Sequence, residues 1–226
     1  HDSSDWVKDW KAVYPKVQNE NLKQTMVWDN KGKNFGASYN WHKKNPKFWE
    51  QFYQQVPNMK QIYFAGGESL IIEEHYEILE EVIRQGYASE MEIRYNSNGV
   101  EWRDDLLDLW KNFSHISIGA SLDAEGARGE YQRKGTVWAD VEENIQRLRE
   151  TSPEIDFYVS ATVSAYNAWH ITDFHRSWVD KGYIKPGDWY MNVLLNNPRF
   201  RMSVLPASFK EEIKYKWQTK CAARSV

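Results

Sequence analysis

Gln61-Ile62-Tyr63-Phe64-Ala65-Gly66-Gly67-Glu68-Ser69-Leu70 is the stretch on which the fold turns. A short run of β-branched and aromatic residues ends at a glycine pair, and an amphipathic stretch of helical period, about Glu73 to Gln85, follows it. The same unit recurs down the chain. Apolar runs cover Gln61 to Ala65, Glu90 to Tyr95, His115 to Ala120, Ile155 to Val163 and Trp189 to Leu195, and helical stretches cover Glu73 to Gln85, Trp102 to Asn112, Val137 to Glu150 and Ile171 to Lys181. Strands that alternate with helices are parallel, because a parallel pair needs a long crossover, and such crossovers are right-handed. Five units of this kind predict a curved parallel sheet or partial barrel, with a doubly wound open sheet as the main rival.

The flanks read differently. Residues 1 to 59 hold helical patches at about Asp5 to Tyr14 and Pro46 to Gln55, joined by the polar, glycine-bearing stretch Asp29 to Tyr39, and no convincing strand opens the series. If the repeat runs backward, its first strand falls before His1. Residues 197 to 226 read as a strand exit followed by a helix from Ser208 to about Gln218. The expected division is therefore an N-terminal helical segment over 1–59, an α/β core over 60–206 and the start of a C-terminal extension over 207–226.

Composition bounds the function. With 226 residues, a formal net charge of -3 and a pI near 6.1, the chain offers no field to recruit nucleic acid or an anionic membrane surface. No run of eighteen apolar residues is present and His1-Asp2-Ser3-Ser4 resembles no signal peptide, so a soluble, cytoplasmic protein is expected. Cys221 is the single cysteine, which excludes a disulfide framework or a site of several thiolates within this sequence. His170 and His175 are five apart and fall on different faces of a helix, and His75 follows Glu73 and Glu74 without a histidine partner, so no metal site is expected from them. Twelve Trp and thirteen Tyr are many for this length; packing accounts for them, or a stacking surface for a substrate.

In parallel α/β folds ligands lie at the carboxyl ends of the strands. Those ends here are Gly66-Gly67-Glu68, Asn96-Ser97-Asn98-Gly99, Ser121-Leu122-Asp123, Ser164 to Asn167 and Asn196-Asn197. Each alone is an ordinary turn or cap. Together they carry chemistry: glycines let a backbone approach a ligand, Glu68 can accept from an ammonium, Asp123 from ribose hydroxyls, and Arg133 can clamp a carboxylate. A zwitterionic amino acid joined to a ribose matches that set.

The same residues resemble a family. Ile62 to Leu70 is similar to the Gly-Gly-Glu-Pro motif of radical S-adenosylmethionine enzymes, Tyr95-Asn96-Ser97-Asn98-Gly99 to their Thr-Asn-Gly segment, Ser117 to Asp123 to their fourth-strand Ser-Leu-Asp, and Tyr131-Gln132-Arg133-Lys134-Gly135 to the Tyr-x-Arg-x-Gly that follows. Order and spacing agree from Gln61 to Glu150 and more loosely to Leu205; Ser69 stands where the family often has Pro and Ser97 where it often has Thr. Ser3-Ser4-Asp5-Trp6 resembles the segment that follows the Cys-x-x-x-Cys-x-x-Cys loop in members carrying a twitch domain, which implies a chain truncated just after that loop.

The resemblance implies a partial parallel (β/α)6-type barrel with its first strand missing. It implies S-adenosylmethionine as cofactor, with Gly66, Gly67 and Glu68 at the methionyl amino group, Ser121 and Arg133 at its carboxylate, and Asp123 or Asn98 at the ribose. Adenine would lie near Val163 to Tyr166 and Leu194 to Asn196. It implies a 4Fe-4S cluster whose ligands this chain lacks, an external electron donor, and a 5′-deoxyadenosyl radical that abstracts hydrogen from a peptide, protein or small-molecule substrate; this chain alone is expected to be inactive. Cys221 reads as an incidental thiol or the first ligand of an auxiliary cluster. The alternatives are a degenerate, non-catalytic α/β domain that binds a nucleotide or peptide, and an unrelated α/β domain such as a phosphate-binding sugar enzyme, for which a glycine loop late in the chain is lacking.

Overall fold

Five strands pair in the order of the sequence, all parallel, in the computed structural model, which describes residues 12–25, 45–66, 68–99, 101, 103–195 and 197–222. They are β1 (Gln61–Phe64), β2 (Glu92–Ser97), β3 (His115–Ala120), β4 (Asp156–Val163) and β5 (Trp189–Val193). Register sets Ile62 against Ile93, Tyr95 against Ile118, Ile118 against Phe157 and Ala161 against Met191. A doubly wound sheet reverses its strand order partway, and this one does not, so that rival is excluded. Successive right-handed crossovers that step in one direction place their helices on one face and curl the sheet around the other.

Side-chain alternation agrees. Ile93, Tyr95, Ile118, Phe157, Val159 and Ala161 are buried on the helix-covered face. The opposite face carries Tyr63, Arg94, Asn96, Ser117, Tyr158 and Thr162, and Tyr63 and Arg94 are exposed on it. Tyr158 and Tyr190 meet edge to face there, with ring centroids 5.0 Å apart.

Among the described residues the helices are α1 (Glu20–Thr25), α2 (Pro46–Gln55), α3 (Glu73–Arg84), α4 (Leu106–Trp110), α5 (Gly126–Gln132), α6 (Trp138–Thr151), α7 (Ile171–Asp180) and α8 (Ala207–Ala222). Three- and four-residue spacing supplies each inward stripe: Tyr76, Leu79 and Val82 on α3, Val141, Ile145 and Leu148 on α6, Ile171, Phe174 and Trp178 on α7. Each such fully buried apolar side chain contributes about 1.5–3 kcal/mol. Phe157 on β4 stacks on Trp178 at 6.3 Å, joining the α7 stripe to the sheet.

Some expected boundaries move. β2 starts at Glu92 because Ala88–Glu90 forms a 3-10 turn, and it runs on through Asn96 and Ser97. The helix expected over Trp102 to Asn112 is found only as α4; Trp102 lies outside the described residues, and Arg103 pairs with Asp105 in the turn that precedes Leu106. The sequence pattern does not mark α5 as a separate helix. The patch around Asp5, the stretch Asp29 to Tyr39 and the Ser3 to Trp6 segment lie outside the described residues, apart from Ala12 to Tyr14. Among the described residues no helix is long and apolar enough to cross a membrane.

Candidate functional site

Two adjoining cavities open at the carboxyl ends of the strands. The first, of about 340 Å³, is lined by Gly66 and Glu68 after β1, Asn96, Ser97 and Asn98 at the end of β2, Ser121 after β3, and Arg133 after α5. Gly66 has φ +85 and Gly99 φ +72, left-handed conformations that a side chain makes costly, so each turn needs its glycine to fold back toward the cavity. Glu68 is only 5% exposed. Its Oε1 accepts from Ser97 Oγ at 2.9 Å and its Oε2 from the Asn98 amide at 2.8 Å, while Ser97 Oγ accepts from the Gly99 amide at 3.0 Å. The carboxylate therefore joins two loops and still lines the cavity.

A guanidinium stands on another wall. Arg133 donates from Nε to Asp123 Oδ2 at 3.0 Å, with Nη2 at 2.8 Å from the same oxygen. Through this pair the first cavity meets the second, of about 330 Å³, whose polar wall is Asp123, Gln132, Thr162 and Ser164 and whose apolar wall is Tyr131, Tyr166, Leu194 and Phe200. Tyr166 lies 6.1 Å from Tyr131 and 5.4 Å from Phe200, centroid to centroid. The Ala165 amide donates to Phe200 O at 2.8 Å and that of Leu194 to Val163 O at 3.0 Å, tying the segment after β5 to the end of β4.

Of the residues expected from the sequence, Gly66, Glu68, Asn98, Ser121 and Arg133 share the first cavity, and Asp123 lines the second. Gly67 and Asn196 lie outside the described residues. Val163 is 1% exposed and points to the helix-covered face; strand alternation gives its neighbour Thr162 to the cavity. That alternation is the signal that finds Thr162. Tyr131 and Gln132 stand in the sequence only as part of a motif, and Phe200 carries no local signal, since its place depends on the chain returning from β5.

Chemically, the first cavity offers an anion and a cation to one ligand end, as a zwitterion requires, and the second offers hydroxyls, a carboxylate and rings. The arrangement is held from below. Tyr76, 1% exposed, donates to Leu70 O at 2.6 Å and accepts from the Arg103 amide at 2.8 Å, linking the segments that follow Glu68 and Gly99. Burial pushes its hydroxyl pKa up, so it remains a donor.

No family model matches this chain, and no curated protein matches it. Solved structures do. Native anSMEcpe with bound AdoMet aligns with TM-score 0.51 and 20% identity over 66% of this chain and 43% of that one. Native anSMEcpe with bound AdoMet and a Cp18Cys peptide aligns with TM-score 0.50 and 18% identity over 66% of this chain and 42% of that one. These are structures of a radical SAM enzyme, and the likeness shows a radical SAM-like α/β fold. The chain spans less than half the length of the solved chains it matches.

Proposed function

We propose that this chain is the S-adenosylmethionine-binding core, residues 60–206, of a radical SAM enzyme. One observation carries the reading: residues from four separate loops, among them Glu68, Asn98, Ser121 and Arg133, line one cavity with opposite charges on its walls, and Asp123 joins it to an aromatic-walled second. In this reading Gly66, Gly67 and Glu68 receive the methionyl ammonium, Ser121 and Arg133 its carboxylate, and Asp123 or Asn98 the ribose. Adenine lies between Tyr166 and Leu194. The Asp123–Arg133 pair fixes the turn between the two halves and so orients the nucleoside against the amino-acid end.

The residues fit S-adenosylmethionine and do not fit an iron-sulfur cluster. A 4Fe-4S cluster is held by several thiolates, and the chain has one cysteine. No step through the cluster is therefore derived. Its ligands, a complete (β/α)6 count, a twitch domain, the electron donor, a cytoplasmic location and hydrogen abstraction from a peptide, protein or small molecule are assigned in this proposal to a longer protein, in which residues 1–59 follow the cysteine loop and 207–226 begin an extension. The anSMEcpe structure with a bound peptide supports a peptide as the substrate class to try first.

Calorimetric titration of the 226-residue chain with S-adenosylhomocysteine and with adenosine tests the site. Glu68→Gln keeps an acceptor for the Asn98 amide and removes the charge. A hydrogen bond to a charged group is worth about 1.5–3 kcal/mol, so S-adenosylhomocysteine should bind roughly 10- to 100-fold more weakly while adenosine is unaffected. Equal loss for both ligands, or for neither, overturns the assignment.

A further inference from the structure

Asn167 lines neither cavity, yet every side-chain bond it makes ends on a wall of the second. It is 0% exposed, in the turn between β4 and α7. A primary amide has two N–H donors and a carbonyl oxygen that accepts twice. Here Nδ2 donates to the carbonyls of Asp123 at 2.8 Å and Thr162 at 2.9 Å, and Oδ1 accepts from the Ser164 amide at 2.8 Å and weakly from Ser164 Oγ at 3.5 Å. Asp123, Thr162 and Ser164 form three parts of the polar wall. The Asp123 carboxylate in turn accepts the Thr162 amide at 2.7 Å and holds Arg133.

These bonds do two separable jobs. The Oδ1 contacts are local, within three residues, and shape a turn that any small acceptor could shape. The Nδ2 contacts join Asp123, 44 positions away, to Thr162, five positions away, and so clamp the segment after β3 to the end of β4. We infer that Asn167 is a positioning residue for a nucleoside: by clamping the carbonyls of Asp123 and Thr162 it fixes the Asp123 carboxylate at the junction of the two cavities, where a ribose diol would meet it. This rests on the nucleoside reading given above. An amide is required because a carboxylate in its place sets oxygen against two carbonyls 2.8 and 2.9 Å away, and a hydroxyl has a single hydrogen to give.

Asn167→Asp separates the jobs, since it keeps the acceptor for Ser164 and removes both donors. At neutral pH its affinity for adenosine should fall about tenfold or more, the exchange of the Thr162 amide with solvent should accelerate, and that of the Ser164 amide should stay slow; mild acid, which returns one O–H donor, should restore part of the affinity. Tyr95→Phe gives up two buried hydrogen bonds, to Trp110 and His75, and lines neither cavity, so it is expected to lose stability with adenosine affinity within about twofold of the original. Should Asn167→Asp not fold, Asn167→Ser leaves at most one donor for the two carbonyls, in a smaller side chain. A folded variant with original affinity and original Thr162 exchange overturns the positioning role. Failure of the unaltered chain to bind adenosine overturns the nucleoside reading instead, while Thr162 exchange still decides whether Asn167 holds the Asp123 turn.

Discussion

Lowering the pH from 7 to 5 is expected to cost this fold about 2 kcal/mol through one side chain, His75. The imidazole is 3% exposed, with Phe64 and Tyr76 edge-on at 4.7 and 4.6 Å. Nε2 shares a hydrogen bond with Tyr95 Oη at 2.9 Å, and Nδ1 has no hydrogen-bond partner among the described residues. Burial first, and then the Arg103 guanidinium, lower its pKa from 6.5 to about 4. Between those two values the unfolded chain binds a proton that the folded chain refuses, so stability is lost as pH falls through that window and the loss levels off below about pH 4. At about 1.36 kcal/mol per pKa unit, the loss is about 2 kcal/mol at pH 5 and about 3 kcal/mol at its limit. Urea unfolding followed by tryptophan fluorescence at pH 7 and 5 reads it, with His75→Gln as the comparison. That variant starts less stable at pH 7 and should show a flatter pH response by about 2 kcal/mol. Burial also lowers the pKa of His170, which adds to the slope, and raises that of Glu125, which opposes it, so the difference between chain and variant isolates His75. An unchanged pH response in His75→Gln would refute the reasoning.

Two further substitutions probe the supports of the site. Tyr76→Phe keeps the ring and the Arg103 guanidinium 4.1 Å above it but loses both hydroxyl bonds, so it should cost about 1–3 kcal/mol of stability by urea unfolding and weaken S-adenosylhomocysteine binding more than adenosine binding; equal affinities in both proteins would show that the loops hold without it. Gly129→Ala improves helix propensity by about 1 kcal/mol, yet its Cβ would sit 2.7 Å from Ala124 O and 2.9 Å from the Trp138 ring, and backbone cannot swing aside as a side chain can. A net loss of about 1–3 kcal/mol in unfolding free energy is expected, and a gain would refute close packing of α5 on α6.

How much of this was legible in the sequence follows from which forces act locally. The Pro46–Gln55 helix and the His115–Ala120 strand stand where the period put them, because burial of one face repeats along the chain and leaves a pattern. Gly126–Gln132 left none. Two of its seven residues are glycines, which argue against a helix, and Gly129 is there because Ala124 O and Trp138 leave no room for a Cβ, a contact fixed by tertiary packing. The site divides the same way. Glu68, Asn98, Ser121 and Arg133 could be found because strand ends in a parallel sheet converge. The clamp made by Asn167 could not, since a buried amide and a turn-forming one have the same name until their partners are known. Val163 and Thr162 differ by one position, and only the facing of β4 tells which lines the cavity.

In the proposed reading, the charges of the site allow it to receive a zwitterion without being rebuilt. Glu68 is nearly buried, and a buried carboxylate without partners would be costly; Ser97 and the Asn98 amide supply two donors, and two lone pairs of a carboxylate remain in excess of them for an incoming ammonium. Asp123 is paired with Arg133 through Nε and Nη2, both directed to one oxygen. A guanidinium has five N–H groups in a plane, so the Nη1 edge lies outside those contacts and can meet a ligand carboxylate without releasing Asp123. Neither charge has to be stripped of its partner when the ligand arrives. That favours a site preorganised by protein bonds over one assembled by the ligand, which is why the residues that hold the walls, Tyr76 beneath the first cavity and Asn167 behind the second, should matter to binding although neither lines a cavity.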